Sequence, residues 1–178
     1  MRIAAALVAL SGFAAATTLQ QLSTDDMIRQ STAVVRVQVT GSAPVLRGRN
    51  IYTQYQFTVL ETLKTSAGGQ NVMPAAVSVP GGTMQGIRQM VAGAPMLASG
   101  QQYVIFLWTS KSGLTQVIGL SQGLFTVMQD SSGAAVLVRP STAATMVSQN
   151  GTPVSESAVT MSLNALRTEI QTVLGAAN

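Results

Sequence analysis

The chain contains no cysteine and no histidine. Those two absences remove Ser-His-Asp and Cys-His catalysis, thiol redox chemistry, and ordinary zinc or copper sites. They also remove lipid attachment at a signal-peptide cysteine and every disulfide. Disulfides are common in small exported domains, so this chain must be held by core packing alone. Charge is scarce as well: charged residues make up 9% of the sequence, against a usual quarter or so. The acids are Asp25, Asp26, Glu61, Asp130, Glu156 and Glu169. The net charge of +4 reflects few acids rather than a basic stripe. The basic residues are scattered singly, apart from Arg47 and Arg49. Nucleic-acid binding calls for clustered basic residues with aromatics among them, and neither is here, so no nucleic-acid partner is expected. What the chain does have is apolar content. At 47% over 178 residues, it can build one domain with a sizeable core and does not fit general disorder.

The first residues have the pattern of a secretory signal peptide. Arg2 supplies a positive start, Ile3 to Phe13 a short apolar run, and Ala14-Ala15-Ala16 a cleavage site. The run falls short of the roughly 20 residues needed to span a bilayer, and no later segment qualifies. The expected organisation is therefore a signal peptide over 1–16 and one exported domain over 17–178. That places the protein in the periplasm or outside the cell, with no transmembrane segment after cleavage.

Periodicity predicts a mainly β domain. Ser23 with Asp26 three residues on predicts a capping box opening a short helix through Met27 and Ile28. In Ala33 to Thr40, Ala33, Val35, Val37 and Val39 alternate with Val34, Arg36, Gln38 and Thr40, a half-buried strand. Gly41 to Asn50 reads as a loop. Ile51 to Leu63 is a strand long enough to be bent or bulged, with Tyr55, Phe57 and Val59 on one face. Val72 to Val79 is a third strand. Tyr103 to Trp108 is apolar on both faces, which suits a central strand. Leu114 to Leu120 follows. Leu124 to Met128 and Ala135 to Arg139 form a hairpin across Asp130-Ser131-Ser132-Gly133. Pro140 to Ser157 is a polar surface excursion. From Ser162, an N-cap, Leu163, Leu166, Ile170, Val173 and Leu174 recur at helical spacing, with Gly175 as the stop. Strand order and one glycine-rich excursion fit a small OB-like barrel with a short helix near each end; a β-sandwich is the alternative.

Between two apolar strands lies Val79 to Pro95, with four glycines, two prolines and one charge, Arg88. Loops of this kind carry function on a rigid scaffold. Gly81 and Gly82 with Gly86 do not make a P-loop, because no Gly-Lys-Ser/Thr follows at the required spacing. They leave a backbone nest beside Arg88 or a structural hairpin. The candidate binding residues are Gly81, Gly82, Gln85, Gly86, Arg88 and Gln89. Met84, Met90 and Met96 are core filler or an adaptable binding surface, with core favoured. Elsewhere the chemistry thins out. Asp25 and Asp26 belong to a helix start. Glu61 is the only acid within a strand, and a solvated strand end near Lys64 explains it. Asp130 belongs to a turn rather than to calcium. Lys111 sits in a polar turn. No catalytic residue, metal ligand or cofactor is assigned.

Several of these segments together resemble a family of uncharacterised exported bacterial proteins. They are Met27-Ile28-Arg29-Gln30-Ser31 leading into Val34-Val35-Arg36-Val37, a tyrosine-containing strand ending in Leu63-Lys64, and Val79-Pro80-Gly81-Gly82. To these are added Gly86-Ile87-Arg88-Gln89, Gly93-Ala94-Pro95, Tyr103 to Trp108, and Val117 to Gly123. In some exported bacterial proteins similar segments accompany matrixin-like protease regions, but no His-Glu-x-x-His motif is present here. More distantly, the strand order is similar to netrin-like domains of the OB-barrel class, which include tissue inhibitors of metalloproteinases and use cysteines this chain lacks. The resemblance implies a β-barrel with no established catalytic residue. The functional expectation is a non-enzymatic binding module that meets a protein or envelope partner through the loop from Gly81 to Pro95. A structural envelope or matrix component, and a hydrolase without His or Cys, are the alternatives.

Overall fold

A computed structural model of the chain describes residues 18–65, 73–142, 144–155 and 157–176. The expected signal peptide and Glu156 lie outside the described residues. The elements in order are β1 (Thr18–Gln20), α1 (Thr24–Gln30), β2 (Ala33–Arg47), β3 (Asn50–Thr65) and β4 (Ala76–Pro80). Next come β5 (Gly82–Met84), β6 (Ile87–Gln89), β7 (Gln102–Thr109), β8 (Thr115–Val117), β9 (Leu124–Gln129) and β10 (Ala135–Arg139). The chain ends with β11 (Thr145–Val147), β12 (Pro153–Val154), β13 (Val159–Ser162) and α2 (Leu163–Gly175). The fold is mainly β with a helix near each end. One large sheet has the order β13-β10-β9-β7-β2-β3-β4. β8 continues from it by pairing with the second half of β7. A small sheet, β1-β11-β12, and the two-stranded β5-β6 complete the set.

Alternation along β2 and β7 sends side chains to two separate cores. Val35, Val37, Val39, Tyr55, Phe57, Val77, Tyr103, Ile105 and Leu107 fill one face of the sheet. Val34, Val104, Phe106, Phe125 and Leu137 face the other way and meet both helices through Met27, Ile28, Leu166 and Ile170. A strand at the centre of a sheet buried on both faces is apolar along its buried stretch, and β7 is so from Tyr103 to Leu107. Trp108 departs from the expectation: it is 43% exposed, because β7 outruns the helix-covered core at this point.

The sheets do not close into a barrel. β4 and β8 approach one another, yet no ladder joins them. Pro95 and Leu120 line the seam between them, and a proline has no N–H to give to a ladder. The stretch expected as a loop over Gly41 to Asn50 is instead strand, apart from the turn at Gly48-Arg49. β2 and β3 pair register by register out to Arg47 and Asn50, with bulges at Val34/Val35, Arg36/Val37 and Val39/Gly41. Beyond the bulge at Gly41 this arm carries no buried alternating stripe, so no periodic signal marks it. The polar excursion after Pro140 likewise contains β11, which pairs in parallel with β1.

Local chemistry holds the helices down. Ser23 caps α1: its hydroxyl accepts from the Asp26 amide at 3.0 Å, and the Asp26 carboxylate accepts from the Ser23 amide at 3.2 Å. The Ser23 hydroxyl, which also donates to the Asp26 carboxylate at 2.6 Å, and the Ser23 amide keep that carboxyl below the usual carboxylate range. At the other end of α1, Lys64 does unexpected work. It is 8% exposed, and its ammonium donates to the carbonyls of Ile28, Ser31 (2.5 Å) and Arg29 (3.3 Å). A cation at a helix C-terminus satisfies carbonyls that have no partner within the helix. Desolvation by burial lowers the Lys64 pKa. Glu61 is not a solvated strand end. Its two carboxylate oxygens accept from Arg167 Nε at 2.8 Å and Nη2 at 2.9 Å, pinning α2 to β3 by a bidentate pair. Desolvation and the nearby Asp25 raise the Glu169 carboxyl on α2. The Gly175 stop is offset by one residue, since the C-cap is Ala176.

Candidate functional site

The segment after β4 is organised rather than loose. Thr83 and Met84 pair with Arg88 and Ile87, closed by a two-residue turn at Gln85 and Gly86. Both turn residues have positive φ, 50° and 78°, as a type I′ hairpin requires. The segment expected to be a loop thus contains a tight β-hairpin. Gln85 is a poor signal for it, because asparagine or glycine usually fills that position.

The base of the hairpin is locked onto the arm formed by β2 and β3. Gly81 donates its N–H to the Ile51 carbonyl at 2.8 Å, and its own carbonyl accepts from Thr53 Oγ1 at 2.9 Å. Gly82 has φ of 146°, and a Cβ there would lie 2.8 Å from Thr53 Oγ1 and 3.2 Å from Ile51 Cγ2. Only glycine allows this approach. Gln89 Oε1 accepts from the Ile51 amide at 2.6 Å, and Gln89 Nε2 reaches Asn50 Oδ1 at 3.5 Å. Of the six residues singled out from sequence, Gly81, Gly82 and Gln89 therefore hold the hairpin in place, while Gln85 and Gly86 shape its tip. Arg88 alone projects a functional group. Its side chain is exposed, and no hydrogen bond or ion pair to a described residue engages it. The glycines do not form a nest beside Arg88, because the Gly81 amide is spent on Ile51.

Arg88 stands among apolar neighbours that the sequence did not mark as exposed. Ile87 is 65% exposed, Met90 77% and Met96 88%. The core role favoured for Met90 and Met96 is therefore corrected: the chain beyond β6 runs over the surface before Leu97 enters the core. Arg88, Met90 and Met96 line a groove of ≈ 310 Å³, floored by Thr53, Val79 and Pro95. A second groove of ≈ 340 Å³ lies across the strip Gly93–Met96. A larger recess, ≈ 590 Å³, lies elsewhere, around Ser23, Asp26 and Gln149. Its polar atoms already serve the α1 cap, with Gln149 Nε2 reaching Asp26 at 3.4 Å, so the hairpin groove is the stronger candidate.

The arm contributes what sequence order hid. Asn50 touches Gln89, and Asn50 is the register partner of Arg47. The turn of the arm thus brings Arg47 and Arg49 beside the hairpin, with Leu46, also exposed, next to them. The described carboxylates lie elsewhere: Asp25 and Asp26 on α1, Glu61 against α2, Glu169 on α2, and Asp130 in the turn before β10. There Asp130 Oδ1 accepts from the amides of Ser132 (2.8 Å) and Ala134 (3.0 Å). Bonds to Ser132 and Ala134 lower its pKa, and turn geometry accounts for this acid. Among the described residues no three potential metal-ligating side chains stand together, and no helix is long and apolar enough to cross a membrane. No family model, curated protein or solved structure matches the chain.

Proposed function

We propose that this is an exported, non-catalytic binding module that meets a protein or envelope partner through the β5–β6 hairpin and the groove beneath it. The observation that carries this reading is Arg88. It is an exposed cation without a partner among the described residues, on a hairpin whose base is held to the arm by Gly81, Gly82 and Gln89. A pre-ordered surface loses less entropy on binding than a flexible loop. Exposed Ile87, Met90 and Met96 add apolar area of the kind that marks interaction sites when contiguous. Part of the resemblance to exported bacterial proteins falls on the same segment, from Val79 to Pro95. To test it, a photo-reactive amino acid replaces Ile87 in the organism that encodes the protein. The reading predicts a discrete cross-linked adduct that vanishes when Arg88, Met90 and Met96 are all replaced by serine. An adduct that survives the replacement, or none at all, would overturn it.

A further inference from the structure

We infer that the occupant of the hairpin site is an extended acidic segment of a partner protein, added as a strand to the free edge of β6. This inference rests on the binding role proposed for the hairpin and gives that partner a chemistry. Three observations converge. The first is charge. Arg88 lies on the hairpin, Arg47 and Arg49 flank the turn of the arm whose Asn50 contacts Gln89, and no described carboxylate is paired with any of the three. Such an arrangement attracts an anionic ligand. It also disfavours symmetric pairing of two copies, which would set this patch against itself.

The second observation is the backbone. β6 pairs only with β5. In a two-residue hairpin the closing pair, here Met84 and Ile87, is the hydrogen-bonded one, so the next pair is not. The N–H and C=O of Arg88 therefore point away from β5, towards the open edge. An unpaired strand edge is a template for an added strand. A hydrocarbon surface cannot satisfy these groups, which argues against a bilayer as the occupant.

The third is the groove. It is concave, ≈ 310 Å³, and has Met90 and Met96 on its rim. Side chains of an added strand alternate between its two faces. One set would place carboxylates at the groove that Arg88 lines with Met90 and Met96, and apolar side chains on the other set would cover Ile87 on the opposite face of β6. A sugar polyanion would leave Ile87, Met90 and Met96 unused.

The test is selection from a displayed library of random linear peptides against the purified full chain, followed by binding of phosphatidylglycerol vesicles in parallel. Selected peptides should be enriched in Asp and Glu at alternate positions, with apolar residues between them and few Lys or Arg. A selected peptide should shift the amide resonances of Ile87 to Gln89. Its affinity should fall about tenfold or more for Arg88→Glu, a loss on the scale of one charge-assisted contact. The triple variant Arg47→Glu, Arg49→Glu, Arg88→Glu should reverse the charge preference. Enrichment without acidic residues, affinity unchanged by Arg88→Glu, or vesicle binding with no peptide selected would each overturn the inference. If peptides show no acidic preference while the Ile87 cross-link persists, the acidic strand falls and the hairpin role stands.

Discussion

The two ends of this molecule treat polar and apolar groups in opposite ways. Where the helices cover the sheet, the notable charged and polar groups are paired within the chain. Lys64 caps α1, Glu61 holds Arg167, and Ser23 and Asp26 cap each other. Phe106, Phe125 and Leu166 are closed over. At the hairpin end, the backbone is just as well tied down, but side chains are left over. Arg47, Arg49 and Arg88 have no carboxylate partner among the described residues, and Ile87, Met90 and Met96 face solvent. The difference separates residues that build the fold from residues that the fold presents. Both ends are ordered, so exposure at the hairpin is a property of a fixed surface rather than of a loose loop.

The comparison can be broken by substitution. The largest effect should come from Phe106→Ala. It removes a fully buried ring packed 5.9 Å from Phe125 and should cost about 3–5 kcal/mol in denaturant unfolding. Lys64→Met should come next, at roughly 1–3 kcal/mol, because it leaves the Ile28 and Ser31 carbonyls buried without a donor. Its pH dependence has a definite sign. Burial lowers the Lys64 pKa below 10.5, so the folded state holds this proton less tightly than the unfolded state. That penalty is fully present below the folded pKa and fades as pH rises towards 10.5. Wild type should therefore gain on Lys64→Met as the solution becomes alkaline, as urea midpoints across pH would show.

Gly82→Ala should cost about 1–3 kcal/mol through overpacking against Thr53 and Ile51. It should also disturb the hairpin amides in NMR spectra while leaving those of α2 in place. Asp26→Ala should cost about 0.5–1 kcal/mol, a typical cap loss. The carboxyl is held below its ordinary value of 3.8, so its contribution is present above that pH and is lost as pH falls through the lower folded pKa. The variant and wild type should converge there. The smallest effect belongs to Arg88→Glu: a shift in stability within about 0.5 kcal/mol, as for most surface sites. A large loss of stability at Arg88 would mean that it serves the fold after all, and the contrast between the two ends would collapse.

Much of the helix-covered end was legible in sequence. The capping box at Ser23, the strand alternation of Ala33 to Val39, the doubly apolar β7 and the spacing of Leu163 to Val173 are local patterns with local causes. What pairs across distance was not. Lys64 reaches α1 over a long stretch of chain, and the salt bridge from Glu61 to Arg167 joins residues no local pattern connects. The Gly81 to Pro95 segment was visible as a unit, but its glycines could not be sorted into anchor and tip without the arm beneath them. Arg47 and Arg49 were read as loop residues, because the exposed arm beyond Gly41 has no buried stripe to betray a strand.

The most direct test compares two surface positions in one cell. A photo-reactive residue is placed at Ile87 in one strain and at Thr168, an exposed position on α2, in another, and adducts are counted after illumination. The contrast between the two ends predicts a discrete adduct from position 87 and none from position 168. Equal labelling at both positions, or labelling from α2 alone, would contradict it.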